Sequence, residues 1–157
     1  MIKLRYKPMP SDLVARYRRR EPDAYGLRPE LHVSDGQGMP CRHCLANIAE
    51  GDPYLIIAYR PFPDLQPYAE TGPVFLHAQD CEAYNAEMSV PAILTTSKDY
   101  LLRGYSADDR IVYGTGAVTP VDAIDARAAE LLERSDIAYV HVRSARNNCY
   151  QCRIERA

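Results

Sequence analysis

Two short cysteine and histidine motifs carry the residues of this sequence that are best suited to chemistry. Cys41 and Cys44 are separated by two residues, so a tight turn can direct both sulfurs towards one metal ion. His77 and Cys81 are four residues apart, a spacing that places two side chains on one face of a helix. Together the four side chains offer three sulfurs and one nitrogen, a closed tetrahedral ligand set for zinc.

Two features separate these motifs from common zinc ribbons. Leu45 follows Cys44, so no glycine is present there to ease a tight turn. Residues 45–76 separate the motifs, a longer gap than the usual one of about 15–20 residues. His43 lies inside the turn and is poorly placed to substitute for His77. The alternative interpretation is a set of reduced core cysteines, because cysteine is often buried as a small apolar side chain.

A cysteine enzyme is a second hypothesis. A cysteine beside a histidine can act as a nucleophile, and a carboxylate can orient the histidine. The candidates for these roles are Cys81, His77 and Glu70, in a pocket that Arg60 also lines. The simpler interpretation is that Glu70 pairs with one of the sixteen arginines and that His77 is hydrogen-bonded in the interior. The sequence leaves enzyme activity undecided and favours a binding role.

A basic cluster gives the third hypothesis, a weak nucleic-acid binder. Arg16, Arg18, Arg19 and Arg20 fall at the end of a predicted helix, where cations also suit the helix dipole. The formal net charge of the chain is −2, which argues against a surface that coats nucleic acid. We therefore do not expect nucleic acid to be a partner.

The second cysteine pair, Cys149 and Cys152, is not expected to form a site. It falls in a predicted strand, where residues three apart point to opposite faces of the sheet. Cys152 should then face the core and Cys149 should face outward. The two could share neither a metal ion nor a disulfide without leaving strand geometry.

Composition and length indicate one soluble domain. The chain has 157 residues, of which 46% are apolar and 25% charged, as in ordinary globular proteins. The first ten residues lack the apolar stretch of a signal peptide, and residues 54–59, the longest apolar run, are far too short to span a membrane. We therefore expect a cytoplasmic protein without a membrane partner, whose five cysteines are reduced.

The middle of the chain, residues 39–90, contains both metal-ligand motifs. Residues 54–59 are apolar on both faces and predict a buried central strand. Residues 74–76 predict a second short strand, and residues from about 78 to 87 a short helix. This order of turn, strand, strand and helix looks like a treble-clef zinc finger.

The N-terminal part, residues 1–38, predicts a strand, a helix and a loop. Residues 2–7 alternate apolar and basic side chains, as in a half-buried strand. Ser11 can cap a helix that continues to about residue 19. A short extended piece is expected at residues 31–33 within the following loop.

The C-terminal part, residues 91–157, predicts a scaffold of hairpin, helix and hairpin. Residues 101–105 and 110–113 form the first hairpin. Thr119 caps a helix that ends near residue 134 and buries an apolar stripe.

The register of the last hairpin, between residues 137–143 and 150–155, can be argued. A two-residue turn at 147–148 would place Val140 and Val142 opposite charged side chains. A three-residue loop at 146–148 places them opposite Ile154 and Cys152, which burial favours. Asparagine also tolerates the left-handed conformation that such loops need.

Several sequence stretches together resemble the domain-of-unknown-function 1203 family of bacterial proteins. They are CRHCL, YRPF, PYAETGPVFLHAQDC, HVRSARNNCY and the closing RIER. The resemblance implies a compact bacterial protein of similar length without an established activity. It assigns no catalytic residue and no metal ligand.

The fold class expected from these elements is α+β, in a small single domain over residues 1–157. It should contain antiparallel hairpins and two or three short helices, with a treble-clef-like ββα module in the middle. The expected function is that of a structural-zinc binding or interaction module.

Overall fold

The computed structural model describes residues 2–85 and 90–157, which form two compact units. The sheet unit contains Met1–Lys7 and Asn85–Ala157, and the cysteine unit contains Pro8–Tyr84. The predicted helix of the N-terminal part lies in the same unit as the Cys/His motifs. The single domain over residues 1–157 stays a prediction.

The described residues form a mixed structure of antiparallel sheets and short helices. Among the described residues the longest helix has nine residues, and no helix there has the length and apolar content to cross a membrane. In chain order the elements are β1 (Leu4–Lys7), α1 (Ser11–Arg18), β2 (Glu30–Val33), β3 (Pro53–Tyr59), β4 (Gly72–His77), β5 (Asp99–Tyr105), β6 (Ala117–Pro120), α2 (Ile124–Leu132), β7 (Tyr139–Ser144) and β8 (Tyr150–Arg156), with 3-10 turns at Ala92–Thr95 and Val121–Ala123.

The sheet unit is a five-stranded antiparallel sheet in the order β1-β8-β7-β5-β6, with α2 packed on it. The predicted apolar stripe of α2 is buried at Ile124, Ala128 and Leu131. Val140 and Cys152, on adjacent strands, are also fully buried. The helix and one face of the sheet therefore share a core.

The predicted pairing of the last hairpin is confirmed, but its loop is longer than expected. Val140 pairs with Ile154 and Val142 with Cys152. The Ser144 N–H donates to the Cys149 carbonyl at 2.9 Å, so the loop contains residues 145–148 rather than 146–148. A register shift next to Val142 compensates for the extra residue. The expected left-handed asparagine is Asn148, whose φ is 58°.

Two other predictions in the sheet unit are wrong. The second strand at residues 110–113 is reduced to one bridge between Tyr105 and Ile111, and β5 takes its strand partners from β6, over residues 99–102, and from β7, over residues 100–105. Thr119 does not cap a helix, since it lies in β6 and pairs with Tyr100. The helix begins at Ile124, after the 3-10 turn, without a side-chain cap.

The cysteine unit contains α1 and a three-stranded sheet in the order β2-β3-β4. The central position of β3 is as predicted, with Leu55 and Ile57 buried. The predicted helix α1 is also present and buries Val14 and Tyr17. Ser11 does not cap it: Pro10 is the N-cap, and the Ser11 hydroxyl contacts His43 instead.

The helix predicted at residues 78–87 is wrong as far as the structure describes it. Residues 78–85 contain bends and irregular chain, and residues 86 and 87 lie outside the described residues. The backbone N–H groups bond elsewhere, since Ala78 donates to Pro53 and Tyr84 donates to His43. These bonds replace the i to i−4 bonds of a helix. The ββα order of a treble-clef finger is therefore not confirmed.

Candidate metal centre

A tight turn positions Cys41 and Cys44. The Cys41 N–H donates to the Ala46 carbonyl, and the Leu45 N–H donates back to the Cys41 carbonyl, both at 3.0 Å. Leu45 has a φ of 54° and so takes the left-handed conformation that glycine adopts most easily. This conformation costs a leucine about 1–2 kcal/mol. Burial of the Leu45 side chain offsets that cost.

Strand β4 holds the turn and supplies the third residue. The Arg42 N–H donates to the Phe75 carbonyl at 3.1 Å, and Cys41 forms a parallel bridge with Phe75. His77 is the last residue of β4, and its backbone N–H donates to the Cys41 sulfur at 3.4 Å. Cys81 follows on the irregular segment, whose Tyr84 N–H is tied to the turn through His43.

The four side chains converge on one point and are called here the Cys3His cluster: Cys41, Cys44, His77 and Cys81. Their ligand atoms lie within 4.8 Å of one another. The sulfurs of Cys41 and Cys81 are 3.9 Å apart, and the Cys44 sulfur is 3.5 Å from Nδ1 of His77. Tetrahedral zinc with ordinary bond lengths separates two sulfurs by about 3.8 Å and a sulfur from a nitrogen by about 3.6 Å. Both contacts match these edges.

Hydrogen bonds within the cluster favour the ionisation of one thiol over that of the other two. Hydrogen bonds from Cys44, from Cys81 and from the His77 N–H lower the pKa of Cys41. The same thiolate raises the pKa of Cys44 and of Cys81, chiefly through the hydrogen bonds that these thiols make with Cys41. Without a metal ion, the surrounding protein therefore favours one thiolate among the three cysteines. A bound cation would favour ionisation of the other two.

Two residues that the sequence analysis did not assign to the site contact Cys81, and a third contacts one of these two. Arg18 donates from Nη2 to the Cys81 sulfur at 3.1 Å, and from Nε to the His77 carbonyl at 3.1 Å. Nδ1 of His43 is 3.2 Å from the same sulfur, and the Ser11 hydroxyl is 2.9 Å from Nε2 of that ring. Burial, and then the charge of Arg18, lower the pKa of His43, which favours its neutral form.

A helical spacing could have identified Arg18. Arg18 is four residues after the buried Val14 and seven after Ser11, so the three share one face of α1. No comparable signal was available for His43, because its position depends on the conformation of the turn around it.

The pocket predicted around Arg60 and Glu70 does not include the cluster. His77 lies at one end of the β3–β4 hairpin, whereas Tyr59 pairs with Gly72 at the other end, next to Arg60 and Glu70. The ladder between the two ends is about 17 Å long. The Arg60 guanidinium donates to the carbonyl oxygens of its own loop. The combination of an arginine, a glutamate, a histidine and a cysteine in one pocket is therefore wrong.

All four arginines of the basic cluster at the end of α1 have protein partners. Arg16 and Arg19 pair with Glu21, at 3.4 and 2.6 Å. Arg20 donates to the Pro29 carbonyl at 3.2 Å, and Arg18 donates to the Cys81 sulfur. These contacts reduce the net positive charge that the four arginines present to a ligand.

We therefore expect no binding to DNA or RNA tighter than about 10⁻⁶ M at physiological salt, the range of non-specific electrostatic binding. Fluorescence anisotropy with labelled single-stranded and double-stranded oligonucleotides measures this. Submicromolar binding that weakens steeply with salt, and that is lost on Arg16→Ala with Arg19→Ala, would contradict the expectation.

Comparison with known proteins gives one match. The family model described as "Protein of unknown function (DUF1203)" matches residues 38–156. The chain belongs to this family. No match was found among curated proteins or among solved structures. The resemblance stated from the sequence is confirmed, and the family is one of unknown function.

The matched span covers the whole Cys3His cluster and His43 but not residues 1–37. Ser11 and Arg18, which contact His43 and Cys81, therefore lie outside it. In this member of the DUF1203 family, the surroundings of Cys81 are completed by a segment that the family model does not describe.

Proposed function

We propose that the Cys3His cluster holds a structural zinc ion and that the protein acts by binding rather than by catalysis. The supporting observation is the convergence of three sulfurs and one imidazole nitrogen at separations that match the edges of a zinc tetrahedron. Four protein ligands fill a tetrahedral zinc site and leave no position for a substrate, as in structural sites.

The surroundings of the cluster suit a thiolate-rich zinc centre. Zinc with three thiolates and one neutral imidazole has a net charge of about −1. The guanidinium of Arg18 is 3.1 Å from the Cys81 sulfur and offsets this charge. The backbone N–H of His77 and the ring of His43 provide further hydrogen bonds to Cys41 and Cys81. Such outer contacts orient metal ligands and tune their affinity.

The cluster also joins parts of the cysteine unit that have little regular structure. Cys41 and Cys44 lie in a turn, and Cys81 lies in the irregular segment at residues 78–85. His77 is the one ligand in a strand. A metal ion held by all three pieces would stabilise them together, because the unfolded chain has no preformed site.

Cobalt substitution tests the proposed ligand set. Metal-free protein titrated with Co²⁺ should develop the visible absorption of tetrahedral cobalt and a thiolate-to-cobalt charge-transfer band, saturating at one equivalent. Cys81→Ser should weaken the charge-transfer band because one sulfur ligand is lost, and Cys149→Ser should leave it unchanged. A spectrum of hydrated, octahedral cobalt throughout the titration would contradict the proposal.

A cysteine nucleophile is the second candidate, because the Cys81 sulfur lies 3.2 Å from the His43 ring, whose other nitrogen contacts Ser11. This arrangement replaces the predicted base His77 with His43. Iodoacetamide distinguishes the two candidates at fixed pH. A zinc ligand should react slowly until a chelator is added, whereas a nucleophile should react fast with or without chelator.

A further inference from the structure

Strand β2 leaves an open edge on the sheet of the cysteine unit. It is the outer strand of the order β2-β3-β4, and all four of its residues are exposed. The Ser34 N–H donates to the Asp52 carbonyl, so by alternation the backbone groups of Leu31 and Val33 point away from β3. No strand in the described residues pairs with this side of β2.

The open edge is apolar on the face of the sheet whose central residues are buried in the core. Leu31 pairs with the buried Leu55 and therefore lies on the buried face of the sheet, yet Leu31 is 52% and Val33 70% exposed. Apolar residues grouped in this way mark an interaction surface.

The other three sheet edges are protected against pairing with a further strand. β1 has Arg5 and Lys7 and is followed by Pro8, and β6 ends at Pro120. The outer side of β4 is occupied by the turn, whose Arg42 N–H bonds to it. Charges, prolines and covering segments are the usual protection of an edge strand. Within β2 there is no proline, lysine or arginine.

We propose that a second copy of this chain pairs antiparallel along β2, about a two-fold axis through Leu31. Antiparallel pairs alternate between two hydrogen-bonding types, so the axis of a symmetric pair must pass through a residue that faces its own copy. With Leu31 on the axis, Glu30 of each copy lies opposite His32 of the other copy, which gives two such pairs. An axis through His32 would instead oppose two histidines.

The two copies are complementary on both faces of the extended sheet. On one face the two Leu31 side chains cover each other. On the other face, the side chains of Glu30 and His32 are 2.8 Å apart within one strand. The same two residues of the second copy lie opposite them, so that two glutamates and two histidines alternate in a group of four. The backbone groups of Leu31 bond across the axis. This pairing is independent of the zinc proposal.

Sedimentation equilibrium of the full chain, from about 1 μM to about 1 mM, measures the association. The wild-type protein should approach twice its monomer mass of 17.7 kDa. Leu31→Lys should raise the dissociation constant at least about tenfold, because two lysines would meet at the axis. Val118→Lys, at a similarly exposed position on β6, should leave it unchanged. A monomeric wild type, or equal effects of the two substitutions, overturns the proposal.

A pair of charged variants tests the register, and circular dichroism checks that each remains folded. An acidic variant, His32→Glu, and a basic variant with Glu30→Lys and His32→Lys should each be monomeric. Their mixture should form the heterodimer in native mass spectrometry, because opposite charges then face each other across the axis. Variants that still self-associate, or a mixture that stays monomeric, would overturn pairing through β2.

Discussion

Replacement of Cys44 by serine is expected to abolish stoichiometric zinc binding and to lower the melting temperature by more than about 15 °C. Structural zinc supplies about 10–16 kcal/mol in small zinc-binding modules, comparable to the whole stability of a domain. Loss of one sulfur leaves an incomplete tetrahedron. The substitution changes the side-chain volume little, and Cys44 is partly exposed, so lost packing explains little of the effect. Differential scanning calorimetry measures it.

Chelation provides the control for this prediction. A chelator should destabilise the wild-type protein about as much as Cys44→Ser does, and it should have little further effect on the variant, because both remove the same metal ion. Cys149→Ser, directly after the loop of the last hairpin, should alter neither zinc content nor melting temperature. A wild-type melting temperature that does not respond to chelator would show that zinc does not stabilise the fold.

Replacement of Cys152 by aspartate is expected to destabilise the protein by about 3–5 kcal/mol, since it buries a charge without a designed partner. Cys152 is fully buried and pairs with Val142 on the face that carries Val140 and Ile154. These three neighbours are apolar, and they leave an aspartate away from water. Urea unfolding followed by far-ultraviolet circular dichroism measures the change in the free energy of unfolding.

Matched substitutions at Cys149 separate this burial effect from a general intolerance of the hairpin. Cys149→Asp and Cys149→Ser should each change the free energy of unfolding by less than about 1 kcal/mol, because Cys149 is partly exposed where the loop ends. Cys152→Ala, which removes the sulfur but adds no charge, should be much milder than Cys152→Asp. Equal destabilisation by aspartate at the two positions would contradict the observed register.

The hairpin also illustrates what a sequence can predict about a fold. The facing of Val140, Val142, Cys152 and Ile154 follows from the period of two in a strand, a local property that burial makes decisive. The loop length was not predictable in the same way. An added loop residue and a compensating register shift near Val142 give the same pairing, and they depend on how Ser144 bonds to Cys149.

The sequence predicted which four residues come together in the candidate site, but not the local structure that holds them there. Cysteine and histidine at short spacings identified four residues that do converge. The helical face assumed for His77 and Cys81 was wrong, because a strand end and a bend achieve the same approach. The contacts of Arg18 and His43 with Cys81 join residues far apart in the chain. Helical spacing places Arg18 on the buried face of α1, but it does not predict which residue Arg18 contacts there.

The zinc content of protein purified without chelator tests the central claim most directly. Inductively coupled plasma mass spectrometry should find about one zinc per chain in the wild type and in Cys149→Ser, and less than about 0.1 in Cys44→Ser. The comparison ties the metal to the Cys3His cluster rather than to cysteines in general. Less than about 0.1 zinc per chain in the wild type, even after incubation with zinc under reducing conditions, would contradict the account.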